Sequence, residues 1–272
     1  LKPVFVDVKN DYNIDENLIE KAITKKTKAI MPVHWAGRTC EMKKIKLIAK
    51  KHNLHIIEDS CHAILGTYNN KLAGTFGTFG CFSMHPLKNL NIWGDGGFVI
   101  CSNYKNFKKM KLLRNHGLVG RDKNLIFGYN SRLDTIQAVV ALNAIKKLKN
   151  ITLKRIENSK FLDSLFKKNK NIFIPSREAH IKEVFHLYHL RVQNKKLRDI
   201  ILNKLISKKI DAKIHYPTSM HLQPASKIYG YQKGDFPIAE NLSKTSLSLP
   251  VHEFVTKKDL LEVSKIILNE LM

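Results

Sequence analysis

The sequence predicts an α/β protein built on parallel strands, and two observations carry that prediction. Strand-like and helix-like segments alternate over the first sixty residues. A second, shorter alternation resumes near Asn171. A hydrophobic content of 43% across 272 residues supplies a real core, in one large or two modest domains.

In chain order, Val4–Val6 reads as a short β run. Leu18, Ile19, Ala22 and Ile23 follow Asp15 at helical spacing and predict a helix. Lys28–Val33 reads as a strand ending near His34. Residues 41–52 form an amphipathic helix on Met42, Ile45, Ile48 and Ala49. Leu54–Ile57 is a buried strand closed by Glu58-Asp59. Right-handed crossovers would set the C-terminal strand ends along one edge, where ligands bind. A Gly-rich stretch, 72–80, leads into strand Cys81–Met84, and Phe98–Cys101 is a further strand. Helices are expected at about 104–114, 133–148 and 152–168. Beyond them, Val184–Val192 reads as a strand and Lys195–Lys208 as a helix. Thr256 can cap a terminal helix at about 257–270. The domain division follows as 1–150 and 151–272, the second opening with a linking helix.

The formal charge is +24, which invites a nucleic-acid reading. The basic residues are 39 Lys against 8 Arg, spread along the whole chain, whereas phosphate and base readers lean on the Arg fork. A Lys-rich surface is the plainer account, with no nucleic-acid partner expected. No uncharged apolar stretch is long enough to span a membrane, and no membrane partner is expected. Cys40, Cys61, Cys81 and Cys101 form no Cys-x-x-Cys pair, so reduced thiols in a cytoplasm are expected. The pairs His52/His55 and His186/His189 lie in or beside predicted strands. Spacing of three there sets the rings on opposite faces, so no metal site is expected.

Three groups within thirty residues carry chemistry. Asp59 ends an apolar strand, Ser83 lies in another, and Lys88 sits in a turn broken by Pro86. Burial lowers the pKa of a lysine and makes it nucleophilic. A Schiff-base Lys with an Asp for a pyridinium nitrogen is the arrangement of pyridoxal phosphate (PLP) enzymes. Spacing alone leaves open that Asp59 caps a loop and Lys88 is one of many surface lysines.

Several strings in fixed order add to this. They are Val33-His34, Ile57–Ala63, Gly74-Thr75-Phe76-Gly77, Phe82-Ser83, Pro86–Leu90 and Gly94-Asp95-Gly96-Gly97. Leu113–Gly117, Gly128–Leu133, His215-Tyr216-Pro217, His221-Leu222-Gln223 and Ser248-Leu249-Pro250 follow. Together they resemble the DegT/StrS-type sugar aminotransferases over nearly the whole chain. The resemblance implies a three-layer PLP-transferase large domain with a mainly parallel sheet, then a smaller C-terminal α/β domain. It implies that Lys88 carries the cofactor covalently and moves protons, that Asp59 holds the ring nitrogen, and that Ser83 bonds the phosphate. His62 would lie against the ring or near its phenolic oxygen, where many relatives have Gln. Asn130 would reach the phosphate of a neighbouring subunit, making a homodimer with shared sites. His215 and Tyr216 would border the substrate.

Two departures stand out. Met84 replaces the usual aromatic after the serine. The family's Gly-Thr phosphate loop and ring-stacking aromatic would lie upstream of Leu1, so an N-terminally truncated chain is expected, inactive alone. The implied reaction moves an amino group, from glutamate, to a nucleotide-linked keto sugar in amino-sugar or surface-polysaccharide synthesis. With Asp95 at its second position, the Gly94–Gly97 turn resembles relatives that act at C-3 rather than C-4. A non-catalytic regulator and a PLP-dependent sugar dehydratase are the alternatives; the latter's relatives replace the lysine by His.

Overall fold

The computed structural model describes residues 1–271. Its central sheet is formed by β1 (Ala29–Ile30), β2 (His55–Asp59), β3 (Phe79–Ser83) and β4 (Gly97–Ile100), in that order. The first three strands run parallel and β4 is antiparallel to β3. Helix α1 (Met42–Lys51) crosses from β1 to β2 and buries the predicted stripe Met42, Ile45, Ile48 and Ala49. These side chains pack with Ile30 and Ile56 of the sheet.

Helix α2 (Tyr104–Leu113) starts at Asn103, whose side chain accepts from the N–H groups of Lys105 and Asn106. Helix α3 (Thr135–Phe166) is one continuous helix of 32 residues, about 48 Å long. Two helices with a break near residue 150 were expected. No Gly or Pro interrupts the segment, and Thr152 returns its hydroxyl to the Leu148 carbonyl at 2.8 Å, inside the helix.

The C-terminal half carries a three-stranded antiparallel sheet: β5 (Ile172–Phe173), β6 (Tyr188–Val192) and β7 (Ser246–Leu249), with β6 in the middle. Helices α4 (Lys195–Ser207), α5 (Pro237–Thr245) and α6 (Lys257–Asn269) complete this half. Leu162 and Phe166 of α3, Tyr188 and Leu190 of β6, Ile201 of α4 and Leu260 of α6 share its core. Thr256 and Asp259 form a reciprocal capping box at α6.

Two early expectations fail. Val4–Val6 forms no strand; Phe5 instead packs among Tyr229, Tyr231 and Phe236. Next to it, Asp7 accepts from the N–H groups of Ile238 and Ala239 at the start of α5. The stripe at 18–23 yields only a 3₁₀ turn, Glu20–Ala22. So short a stripe does not offset helix nucleation, and burying Ile19 satisfies the packing.

Candidate active site

The site lies where the parallel strands end. Glu58 and Asp59 close β2 and face opposite sides of the sheet. Glu58 is fully buried and accepts from Gly74 N–H (2.7 Å), Phe76 N–H and Gly77 N–H (2.6 Å each). Its fourth partner is His34 Nε2 at 2.9 Å. Cys40 N–H donates to His34 Nδ1, so Nε2 carries the ring proton and donates to the carboxylate. Glu58 thus ties the Gly-rich loop to the strand beneath it. Gly74 is needed there: its φ is +83° and a Cβ would lie 2.5 Å from the Phe82 ring.

Asp59 is placed differently. Its backbone bridges to the segment after β1, donating to Pro32 O and accepting from His34 N–H. One side-chain oxygen accepts from Cys61 N–H at 3.1 Å, and the other has no donor among the described residues. Lys88 is half-buried beside Asp59 and Cys61. Desolvation pulls its amine below the ordinary lysine value, and the neighbouring Cys61 and Asp59 only partly oppose that. It forms no ion pair among the described residues. The Cys61 thiol is pushed up to about 12 by burial and by Asp59, which removes it as a competing nucleophile.

His62 closes the next side. Ala36 N–H donates to its Nδ1 at 3.3 Å, leaving the proton on Nε2. Burial and the Lys88 charge lower its pKa to about 3. Its ring lies 4.2 Å from that of His186 and 5.2 Å from Trp35, centroid to centroid. Ser83 ends β3 and accepts from His85 N–H at 3.3 Å, keeping its own proton to donate. Tyr216 stands exposed, edge-on to Trp35 at 5.8 Å, with His215 beside it.

The structure therefore gathers Asp59, His62, Lys88 and His215, whose charges act on one another. Ser83 lies at the neighbouring strand end. Asn130 stands apart, exposed, its backbone bridged to Asn115.

Trp35, His186, His189 and Ser248 also belong to this region, and none was predicted to have a role there. Strand alternation is the ground for expecting the His186 and His189 rings to diverge. Strand β6 starts only at Tyr188, and Phe185 has φ +46°, so alternation does not govern His186. Segment 184–187 is held by Gly37 O and Ala36 O, by Asn89 Nδ2 and by the Arg155 guanidinium. Gly37 has φ +101°, and a Cβ there would meet Phe185 N at 2.8 Å. His186 Nδ1 is buried without a partner.

A desolvated lysine without an ion pair, a carboxylate with one spare oxygen and a free hydroxyl suit a Schiff-base aldehyde cofactor with a cationic ring nitrogen and a phosphate. Set at the strand ends of an α/β sheet, they define a PLP-dependent enzyme of the aminotransferase fold. The chain belongs to the DegT/DnrJ/EryC1/StrS aminotransferase family, which matches residues 1–268.

Among its relatives is the "pleiotropic regulatory protein" of Geobacillus stearothermophilus, 37% identical over 92% of this chain and 67% of that one. The dTDP-3-amino-3,6-dideoxy-alpha-D-galactopyranose transaminase of Aneurinibacillus thermoaerophilus is 36% identical, over 94% and 69%. The solved structure of S. venezuelae DesV, in complex with a ketimine intermediate, superposes with a TM-score of 0.94 at 31% identity. That match covers 99% of this chain and 72% of DesV. No helix among the described residues is long and apolar enough to cross a membrane.

Proposed function

We propose that this chain transfers an amino group from glutamate to a keto sugar linked to a nucleotide, with C-3 as the aminated carbon. The half-buried Lys88 beside the spare oxygen of Asp59 carries this reading. When bound, PLP supplies an electron sink through its protonated ring nitrogen. Asp59 holds that proton. Lys88 Nζ holds the cofactor and, once free, takes up and returns the proton of the nitrogen-bearing substrate carbon. Ser83 donates to the phosphate, and His62 walls the ring. His215 and Tyr216 face the sugar. The C-3 choice draws on the Asp95 turn.

In this reading the enzyme works in the cytoplasm as a homodimer whose sites share Asn130. Leu125, Phe127 and Tyr129 are exposed beside that residue, and Ile136, Val139, Leu142 and Ile145 are exposed along α3, an apolar surface suited to a second copy. Residues 1–150 form the rest of a PLP-binding domain and 151–272 a smaller one, divided within α3. Leu148 packs with Met84, Leu90 and Ile92, while Leu162 and Phe166 pack in the C-terminal core.

The test is spectral and chemical. Protein incubated with PLP should gain a near-visible absorbance band and form 2-oxoglutarate from glutamate when a nucleotide-linked 3-keto sugar is supplied. Lys88→Ala should lose both. An unchanged band and turnover in that variant would exclude the assignment of Lys88.

A further inference from the structure

Behind the sugar-facing side chains lies a chain of hydrogen bonds with a fixed direction. Trp35 Nε1–H donates to His189 Nε2 at 3.1 Å. An indole N–H can only donate, so His189 Nε2 must be bare. His189 is buried, stacked against Tyr12 at 4.8 Å between centroids, and stays neutral because burial lowers its pKa to about 3. Its proton therefore resides on Nδ1, which faces Ser248 Oγ at 3.0 Å. Ser248 accepts that proton and turns its own hydroxyl hydrogen to His215 Nδ1, 2.8 Å away. His215 Nδ1 is then an acceptor, and the ring's single proton is on Nε2.

The backbone holds each member in place. His189 and Ser248 are cross-strand partners on β6 and β7, and Ser248 also bridges to Lys213, two residues before His215. Trp35 is set by its N–H bond to Asn13 Oδ1 at 2.9 Å. A second proton on His215 would have to enter at Nδ1, against a hydroxyl already oriented toward it. No described residue bonds His215 Nε2, and His215 lies beside the exposed Tyr216.

We infer that Trp35, His189 and Ser248 are positioning residues that hold His215 as a neutral Nε2–H donor, aimed at an uncharged oxygen of the sugar substrate. The exposed Tyr216 ring beside one neutral donor matches the apolar C–H face of a sugar ring and one of its oxygens. An amino-acid carboxylate would be better served by a cation. This inference rests on the aminotransferase reading for its ligand, but not for its proton positions.

Ring-nitrogen NMR of ¹⁵N-histidine-labelled holoenzyme, without substrate, reads those positions directly. The wild type should show protonated Nδ1 at His189 and protonated Nε2 at His215. Ser248→Ala should leave His189 Nε2 bare and give His215 mixed tautomers. Trp35→Phe should allow His189 Nε2 to gain a proton and shift His215 as well, and Ser248→Thr should restore the wild-type pattern. In kinetics, Ser248→Ala should raise KM for the keto sugar about threefold, because only part of His215 then carries its proton on Nε2, with KM for glutamate and kcat unchanged. Wild-type His215 protonated on Nδ1, or one pattern shared by wild type, Ser248→Ala and Trp35→Phe, overturns the inference. So does a rise in KM confined to glutamate. The predicted tautomers in a protein that aminates no sugar would overturn the functional reading and leave the relay standing.

Discussion

Glu58 and Asp59 are adjacent carboxylates on one strand, and their surroundings could hardly differ more. Glu58 points into the sheet's interior and has four donors on its two oxygens. Asp59 points to the strand-end cleft and has one donor, leaving an oxygen unclaimed. A carboxylate whose capacity is filled by its own chain has nothing left to offer a ligand, and its role is to hold shape. One left with spare capacity in a half-buried cleft beside a desolvated lysine is where a ligand is expected. The same contrast separates His189, with both ring nitrogens engaged, from His215, with one nitrogen open.

The sharpest way to break this contrast is Asp59→Asn. Amino transfer should fall by about 10²–10³-fold, the usual effect of losing one preorganised electrostatic partner. Stability should stay within about 0.5 kcal/mol, since a single backbone donor is affected. A steady-state assay and a urea melt of the same preparation read both; a large loss of stability would make Asp59 a structural residue like its neighbour.

Glu58→Gln should show the reverse. Either amide orientation turns an NH₂ toward backbone donors or toward the His34 Nε2 proton, so about 3 kcal/mol of stability should be lost. For a chain of this size that is a drop of roughly 6–12 °C in Tm by calorimetry. Activity measured well below the new Tm should survive; an undiminished Tm would show that the Gly-rich loop does not depend on this clip.

How much of this was legible before the fold was known follows the same line. Asp59, Ser83 and Lys88 stand at the strand ends where the sequence places them, because each ends or follows a strand within an ordered series of motifs. Helix α1 could be read residue by residue because its apolar stripe has one face and one partner. The break expected within α3 does not occur, because no Gly or Pro interrupts the helix between Thr135 and Phe166. Trp35, His189 and Ser248 were missed for a different reason. Their chemistry exists only once residues 35, 189 and 248 meet, and no local pattern records that. Ser248 did lie in a quoted string, and Trp35 follows a strand end; that position was the only available signal.

Acid should act on the filled group His189 as well as on His62, whose pKa is also lowered to about 3. The folded pKa of His189, about 3, lies below the unfolded value near 6.5, so between those limits the unfolded chain binds more protons. Stability must then fall as pH drops through 6.5. Lowering pH from 7.5 to 4.5 should remove about 2–3 kcal/mol through this ring alone, measured by urea unfolding. In His189→Gln the acid loss should shrink by about 2 kcal/mol. An equal loss in both proteins would mean that another group dominates and that His189 is less shielded than its neighbours suggest.

Asp7 gives the smallest expected effect, in a place with no bearing on the cleft. Both of its oxygens are used: Oδ1 accepts from Ala239 N–H at 2.9 Å and Val8 N–H at 2.8 Å, and Oδ2 from Ile238 N–H at 3.0 Å. It is a filled carboxylate like Glu58, but its partners are the first free N–H groups of α5, where the helix dipole also favours a negative charge. Asp7→Asn keeps one acceptor oxygen and loses the charge. The expected cost is about 1 kcal/mol, with kcat and KM unchanged. Because Asp7 joins Phe5 and its aromatic cluster to α5, the loss should appear in hydrogen exchange first at Ile238 and Ala239. If amino transfer fell while those amides stayed protected, full hydrogen bonding would no longer mark a carboxylate as structural in this fold.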